Sequence, residues 1–140
     1  MSDFLEWGDL GDIPDQSLLE DGPYLLNIKK AGMKDAKTGR RGFYCMLTTD
    51  EVPNHKPLFN SLWFPQKGDD ESKALTMLTM MKTFFDAAEY DYSSINGPAA
   101  LEEHLGELED LQVRASVGTQ PADEQSGQPE QNVVKAWLNK

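Results

Sequence analysis

The chain has 140 residues, 39% apolar and 26% charged, with a formal net charge of −11, the profile of one globular domain large enough to bury its own core. Such acidity excludes indiscriminate attraction to nucleic acid, and no apolar run reaches the roughly 18 to 20 residues of a membrane span. A single cysteine, Cys45, excludes an intramolecular disulfide and, with only His55 and His104 beside it, a zinc finger or ribbon.

Residues 1–22 contain acids and no cation, with Phe4, Leu5, Trp7, Leu10 and Ile13 scattered among Gly8, Gly11 and Pro14. They are predicted to form an acidic N-terminal arm, set off from one folded domain over 23–140. The opening Met1-Ser2-Asp3-Phe4-Leu5-Glu6 lacks the cationic and apolar regions of a secretory signal, so a cytoplasmic location is expected.

From Tyr24 the chain alternates: Tyr24, Leu26 and Ile28 against Leu25, Asn27 and Lys29, the period of a half-buried strand ending near Gly32-Met33. Residues 34–42 have two glycines, four cations and no apolar period, and are predicted to be a mobile loop at a hairpin end. Phe43 to Thr49 reads as a second strand, with Cys45 as a small core hydrophobe. Pro53 and Pro57 mark a turn. Leu58 to Phe64 reads as a third strand, with Leu58, Leu62 and Phe64 on one face and Phe59, Ser61 and Trp63 on the other.

Asp69-Asp70 supplies helix-capping oxygens, after which Ala74, Leu75, Leu78, Met81, Phe84, Phe85 and Ala88 follow a 3.6-residue period. This predicts the main helix, with Met77, Met80 and Met81 as packing groups. Pro98 opens a short helix that Gly106 is expected to stop. Leu111, Val113, Ala115 and Val117 mark a fourth strand, 118–132 an exposed loop, and Val133 to Leu138 a short last strand. The class is mainly β with one or two helices. Three strands, a helix, then two strands is the order of the five-stranded Greek-key barrel called the OB-fold, with its helix between strands 3 and 4.

The charge is segregated. Between Pro23 and Lys67 stand Lys29, Lys30, Lys34, Lys37, Arg40, Arg41, Lys56 and Lys67 against Asp35, Asp50 and Glu51, a local balance of +5. Tyr24, Phe43, Tyr44, Phe59, Trp63 and Phe64 are interleaved with them. Single-stranded nucleic acid needs cations for its phosphates and flat rings for its unstacked bases. An OB-fold binds across strands 2 and 3 and the loops joining strands 1–2 and 4–5. The candidate site is therefore Lys29, Lys34, Lys37, Arg40, Arg41, Tyr44, Trp63, Lys67, Arg114 and Lys135, with Asn27 and Trp137 as secondary candidates. A bland reading stands beside it: a solvated hairpin tip, and aromatics that face the core.

Asp69-Asp70-Glu71 resembles a Mg²⁺ cluster, but capping and the helix dipole already account for acids opening a helix. Neither histidine has a sequence-local nucleophile, and no phosphate-binding or dinucleotide loop is present. No catalytic residue, metal or cofactor is assigned.

Several segments together resemble a bacteriophage family of OB-fold single-stranded DNA-binding proteins. Asp21-Gly22-Pro23-Tyr24-Leu25-Leu26-Asn27-Ile28 is similar to its opening strand, and Phe59-Asn60-Ser61-Leu62-Trp63-Phe64-Pro65 to its third, with Ser61 and Phe64 as departures. Leu105-Gly106 before Leu111-Gln112-Val113-Arg114-Ala115 resembles the glycine-marked entry to its fourth strand, and Asn132-Val133-Val134-Lys135-Ala136-Trp137 resembles its last strand. The resemblance implies a non-enzymatic protein that coats single-stranded DNA, or RNA, in replication or recombination. The sequence ends in Trp137-Leu138-Asn139-Lys140 instead of an acidic partner-recruiting tail, so a replication or recombination protein is expected to dock on the N-terminal arm, which otherwise acts as an autoinhibitor. The alternative is an OB-like protein-interaction module of such a complex. Monomer and homodimer both remain open.

Overall fold

Alternating apolar residues build five strands, β1 (Gly22–Asp35), β2 (Arg41–Thr48), β3 (Leu58–Trp63), β4 (Gln112–Gln120) and β5 (Gln131–Leu138). They come from a computed structural model that describes residues 8, 9, 11, 13 and 15–138. All pair antiparallel in one sheet of order β3-β2-β1-β4-β5. β1 serves two neighbours: residues 22–27 pair with β4 and residues 27–35 with β2. Helices α1 (Glu71–Ala87) and α2 (Pro98–His104) connect β3 to β4. The edge strands β3 and β5 come within 8 Å of each other, Cα to Cα. The protein is thus mainly β, with two helices where the sequence places them. No helix of the described residues is long and apolar enough to cross a membrane.

One face of the sheet carries Leu26, Ile28, Phe43, Cys45, Leu47, Leu58, Leu62, Val113, Ala115 and Val117, all buried. Phe43 is central, its ring centroid 6.2, 6.0 and 6.1 Å from those of Phe64, Phe84 and Phe85. Such pairs contribute about 0.5–1.5 kcal/mol each beyond simple burial. Phe84 also meets Trp137 at 4.8 Å, which turns that secondary candidate toward the core. Burial pushes the Cys45 thiol up to about 12, so it stays protonated and inert.

Four expectations need correction. The expected loop over 34–42 is shorter than that: its two ends are strand, Lys34 pairing with Gly42 and Asp35 with Arg41, and 36–40 form a tight turn in which the Ala36 amide donates to the Arg40 carbonyl at 2.8 Å. This ladder runs past the core, so its residues carry no apolar alternation. α1 packs on the core by its C-terminal half, through Phe84, Phe85 and Ala87 with Met81 partly buried against them, while Leu75, Leu78 and Met80 are 66%, 49% and 52% exposed. Gly106 does not end the second helical segment, which tightens into a 3₁₀ turn over Leu105–Leu108 with both leucines buried. β4 and β5 each extend into the expected 118–132 loop, leaving 121–130 exposed between them.

Residues 1–7, 10, 12 and 14 of the expected arm lie outside the described residues. The end of that segment belongs to the fold. Leu19 is 2% exposed; its amide donates to Asn132 Oδ1 at 2.8 Å and its carbonyl accepts from Asn132 Nδ2 at 2.9 Å. Ser17 bridges to the β2–β3 turn, its amide donating to the Asn54 carbonyl. His55 fixes that turn: Nε2 accepts from the Thr49 amide at 2.9 Å while Nδ1 donates to the Lys56 carbonyl at 2.7 Å.

Candidate nucleic-acid interface

Antiparallel partners share a face, so the ladders fix what lies opposite the core. Lys30, Met46 and Phe59 form one row across β1, β2 and β3. Gly32, Tyr44 and Ser61 form the next, and Lys34, Gly42 and Trp63 the third. The adjacent pairs Phe43-Tyr44 and Trp63-Phe64 each send one ring to the core and one to this outer face. The two glycines make room for the rings. A Cβ on Gly32 would lie 2.8 Å from Tyr44 Cε1, and one on Gly42 would lie 2.7 Å from Trp63 Cε3. Each ring therefore lies over the neighbouring strand at a position without a side chain, and Phe59 completes the set at 60% exposure.

The cations border these rings. Lys34 Nζ donates to Ser61 Oγ at 3.1 Å and stands 5.6 Å from the Trp63 ring centroid, within cation–π range. Lys29 and Lys30 are exposed at a bulge in β1. Lys37 is exposed in the hairpin turn, and Lys67 in the connection from β3 to α1. Arg41 Nε meets Asp35 Oδ1 at 3.3 Å, both side chains more than half exposed; such a surface pair is worth little and yields to a stronger anion.

Arg40 does not join them. Its Nη1 donates to Asp69 Oδ2 and to the Phe64 carbonyl at 2.8 and 2.9 Å, and its Nη2 donates to Asp69 Oδ1 at 2.8 Å. This forked pair, with side chains 13% and 6% exposed, ties the hairpin tip to the end of β3 and the start of α1. Asp69, expected as a cap, is taken by it. The helix cap is Asp70, whose carboxylate accepts from the Lys73 amide at 2.7 Å. Arg114 and Lys135 are exposed but lie on β4, which pairs with the other half of β1, and on β5, which pairs with β4, away from the three rows. Asn27 faces Gln112 and Asp50, hydrogen-bonded to both at 2.9 and 3.2 Å.

Lys30, Met46 and Phe59 join the site without having been singled out for it. Phe59 carried a signal, since it stands at the same parity as Trp63 in β3. Lys30 carried none: the register shift between Ile28 and Lys30 inverts the alternation, placing Lys30 outward and Ala31 and Met33 inward.

Two cavities adjoin α1. One, about 320 Å³, lies between α1 and β3 and is lined by Ser61, Leu62, Trp63, Lys73, Thr76, Met77 and Met80. The other, about 410 Å³, is walled by Phe64, Leu78, Met81, Phe85, Tyr92, Ile95 and Leu101 among others. Its one cation, Lys82, is held by Asp86 at 2.9 Å. Among the described residues no three of His, Cys, Asp and Glu stand together as metal ligands. His104 pairs with Glu107 at 2.7 Å, which raises its pKa.

The Arg40 guanidinium holds the Asp69 carboxyl well below the usual carboxylate range, helped by the Gln66 amide. Because the folded pKa is depressed, the stabilisation is complete above the unfolded value of about 4 and is lost as pH falls below it. Arg40→Ala is expected to lower the denaturant midpoint clearly at pH 7, and the gap to the parent is expected to narrow at pH 3. An equal gap at both values would mean that the pair contributes nothing through its charge.

Compared with known proteins, the chain matches no family model and no curated protein.

Proposed function

We propose that the protein binds single-stranded DNA stoichiometrically, with low sequence specificity and no catalysis, in phage replication or recombination in the host cytoplasm. The observation that carries this reading is the outer face of β1–β3. Tyr44, Phe59 and Trp63 stand two positions apart along the sheet, two of them over glycines, with Lys30 and Lys34 beside them. Rings offer every base a stacking surface while lysines track the backbone, a combination indifferent to sequence. The sheet is proposed to be that of an OB-fold, its barrel closing between β3 and β5. Support comes from the strand order, the sharing of β1 between two neighbours, the approach of the two edges and the helices between β3 and β4. RNA fits the same chemistry.

The test is a titration of oligo-dT across a range of salt. Each neutralised phosphate on a single strand contributes about 0.7 to the slope of log K against log salt. Lys30→Ala and Lys34→Ala are each expected to reduce that slope by about 0.7 with the fold intact; an unchanged slope would take those lysines out of the site. The acidic residues before β1 are proposed to dock a partner or to compete with DNA. A chain beginning at Asp15, which keeps Leu19 in the core, binds more tightly in the same titration if they compete, and equally if they do not.

A second reading, an interaction module that does not itself hold DNA, draws on the exposed Leu75 and Leu78 beside the 410 Å³ cavity. It requires that oligonucleotides fail to bind at low salt.

A further inference from the structure

We infer that the cavity between β3 and α1 receives one unstacked nucleobase, so that the bound strand leaves the sheet at Trp63 and continues onto the helix. This rests on the single-strand reading above. β3 is an edge strand of the sheet, and where its outer row ends in Trp63 the α1 residues Lys73, Thr76, Met77 and Met80 form the facing wall. Trp63 belongs both to that row and to the cavity wall, which makes the two surfaces continuous.

The lining has the chemistry of a base slot. At about 320 Å³ the cavity is at the lower end of the roughly 300–1,000 Å³ that hold small ligands, a size for one ring system and not for a run of nucleotides. Trp63 supplies a flat wall, and Met77 and Met80 supply thioethers, which are polarizable and favour contact with aromatic rings. Met77 is held in place, its Sδ accepting from Arg40 Nη1 at 3.6 Å. Met80 is 52% exposed on a stretch of helix that does not pack on the core.

Lys73 stands on the cavity wall with its side chain 54% exposed, 3.8 Å from Asp69 Oδ1 and not forked onto it. It is therefore available to a phosphate, while the Asp69 charge is already compensated by Arg40. The larger cavity lacks both features. Its only lysine is engaged by Asp86, and none of the outer-face rows reaches it.

The methionines make the test. The full-length protein, labelled with ¹³C at the methionine methyls, is titrated with oligo-dT at low salt. Met46 reports the sheet face, Met77 and Met80 report the cavity, and Met33 on the core face and Met81 in the other cavity serve as internal references. Upfield ring-current shifts at Met46, Met77 and Met80, with Met33 and Met81 unmoved, are the expected result. A shift at Met46 alone would overturn the cavity assignment and leave the single-strand reading standing. No shift at any methyl, without binding, would overturn both. Shifts at all five would indicate a general rearrangement and would also overturn the assignment.

Discussion

Replacing Phe59 and Trp63 together by alanine is expected to weaken oligo-dT binding by at least about 30-fold, because each ring that stacks a base contributes roughly 1–3 kcal/mol. The two residues are four positions apart on β3, about 13 Å at the usual strand rise, so they serve different bases and their losses add. Tyr44 stands between them, opposite Ser61. The three rings are thus spaced by steps of the order of that between unstacked bases in a stretched strand. Phe59→Ala alone isolates function from folding. Its side chain is 60% exposed, so the unfolding midpoint stays within error of the parent while affinity drops by about five-fold or more. Unchanged affinity in the double variant, measured by anisotropy at low salt, would remove this face as the binding site.

Gly42→Ala is expected to cost about 1–3 kcal/mol of stability or more, as overpacking of a tight site does. The added methyl would collide with the carbonyl oxygen of Leu62, a backbone atom of the paired strand, as well as with the Trp63 ring. Backbone in a ladder cannot turn aside, so β2 and β3 must separate locally. Gly32→Ala is the matched control: there the atoms nearest to the new methyl all belong to the Tyr44 side chain, which can rotate. It is expected to displace that ring and weaken binding with a smaller loss of stability. Equal denaturation midpoints for Gly42→Ala and the parent would show that Gly42 is not required by this packing.

Most strands were legible because burial on one face imposes a two-residue period, and β3 even set Phe59 and Trp63 apart from the face that carries Leu58, Leu62 and Phe64. Other features depended on partners that sequence does not place. Arg40 looks like Arg41 in the chain, yet its neighbour in space is Asp69, 29 residues on; one guanidinium is locked into the fold and the other lies at the surface. The β1 bulge is the sharper case. Simple alternation selects Lys29 with Asn27, but one extra residue inverts the parity and puts Lys30 in the row with Met46 and Phe59. The α1 periodicity was real but only partly used. Leu75 and Leu78 have helical spacing without a core to face, because the sheet meets the helix at its far end.

The most direct test of the account is competition: a labelled oligo-dT of about 30 nucleotides, bound to the protein at roughly 50 mM salt and challenged with unlabelled duplex of equal length, then repeated at roughly 200 mM. Tight binding that weakens with salt and that duplex does not displace is the expected result. Absence of binding at the lower salt, or displacement by duplex as readily as by single strand, would contradict it.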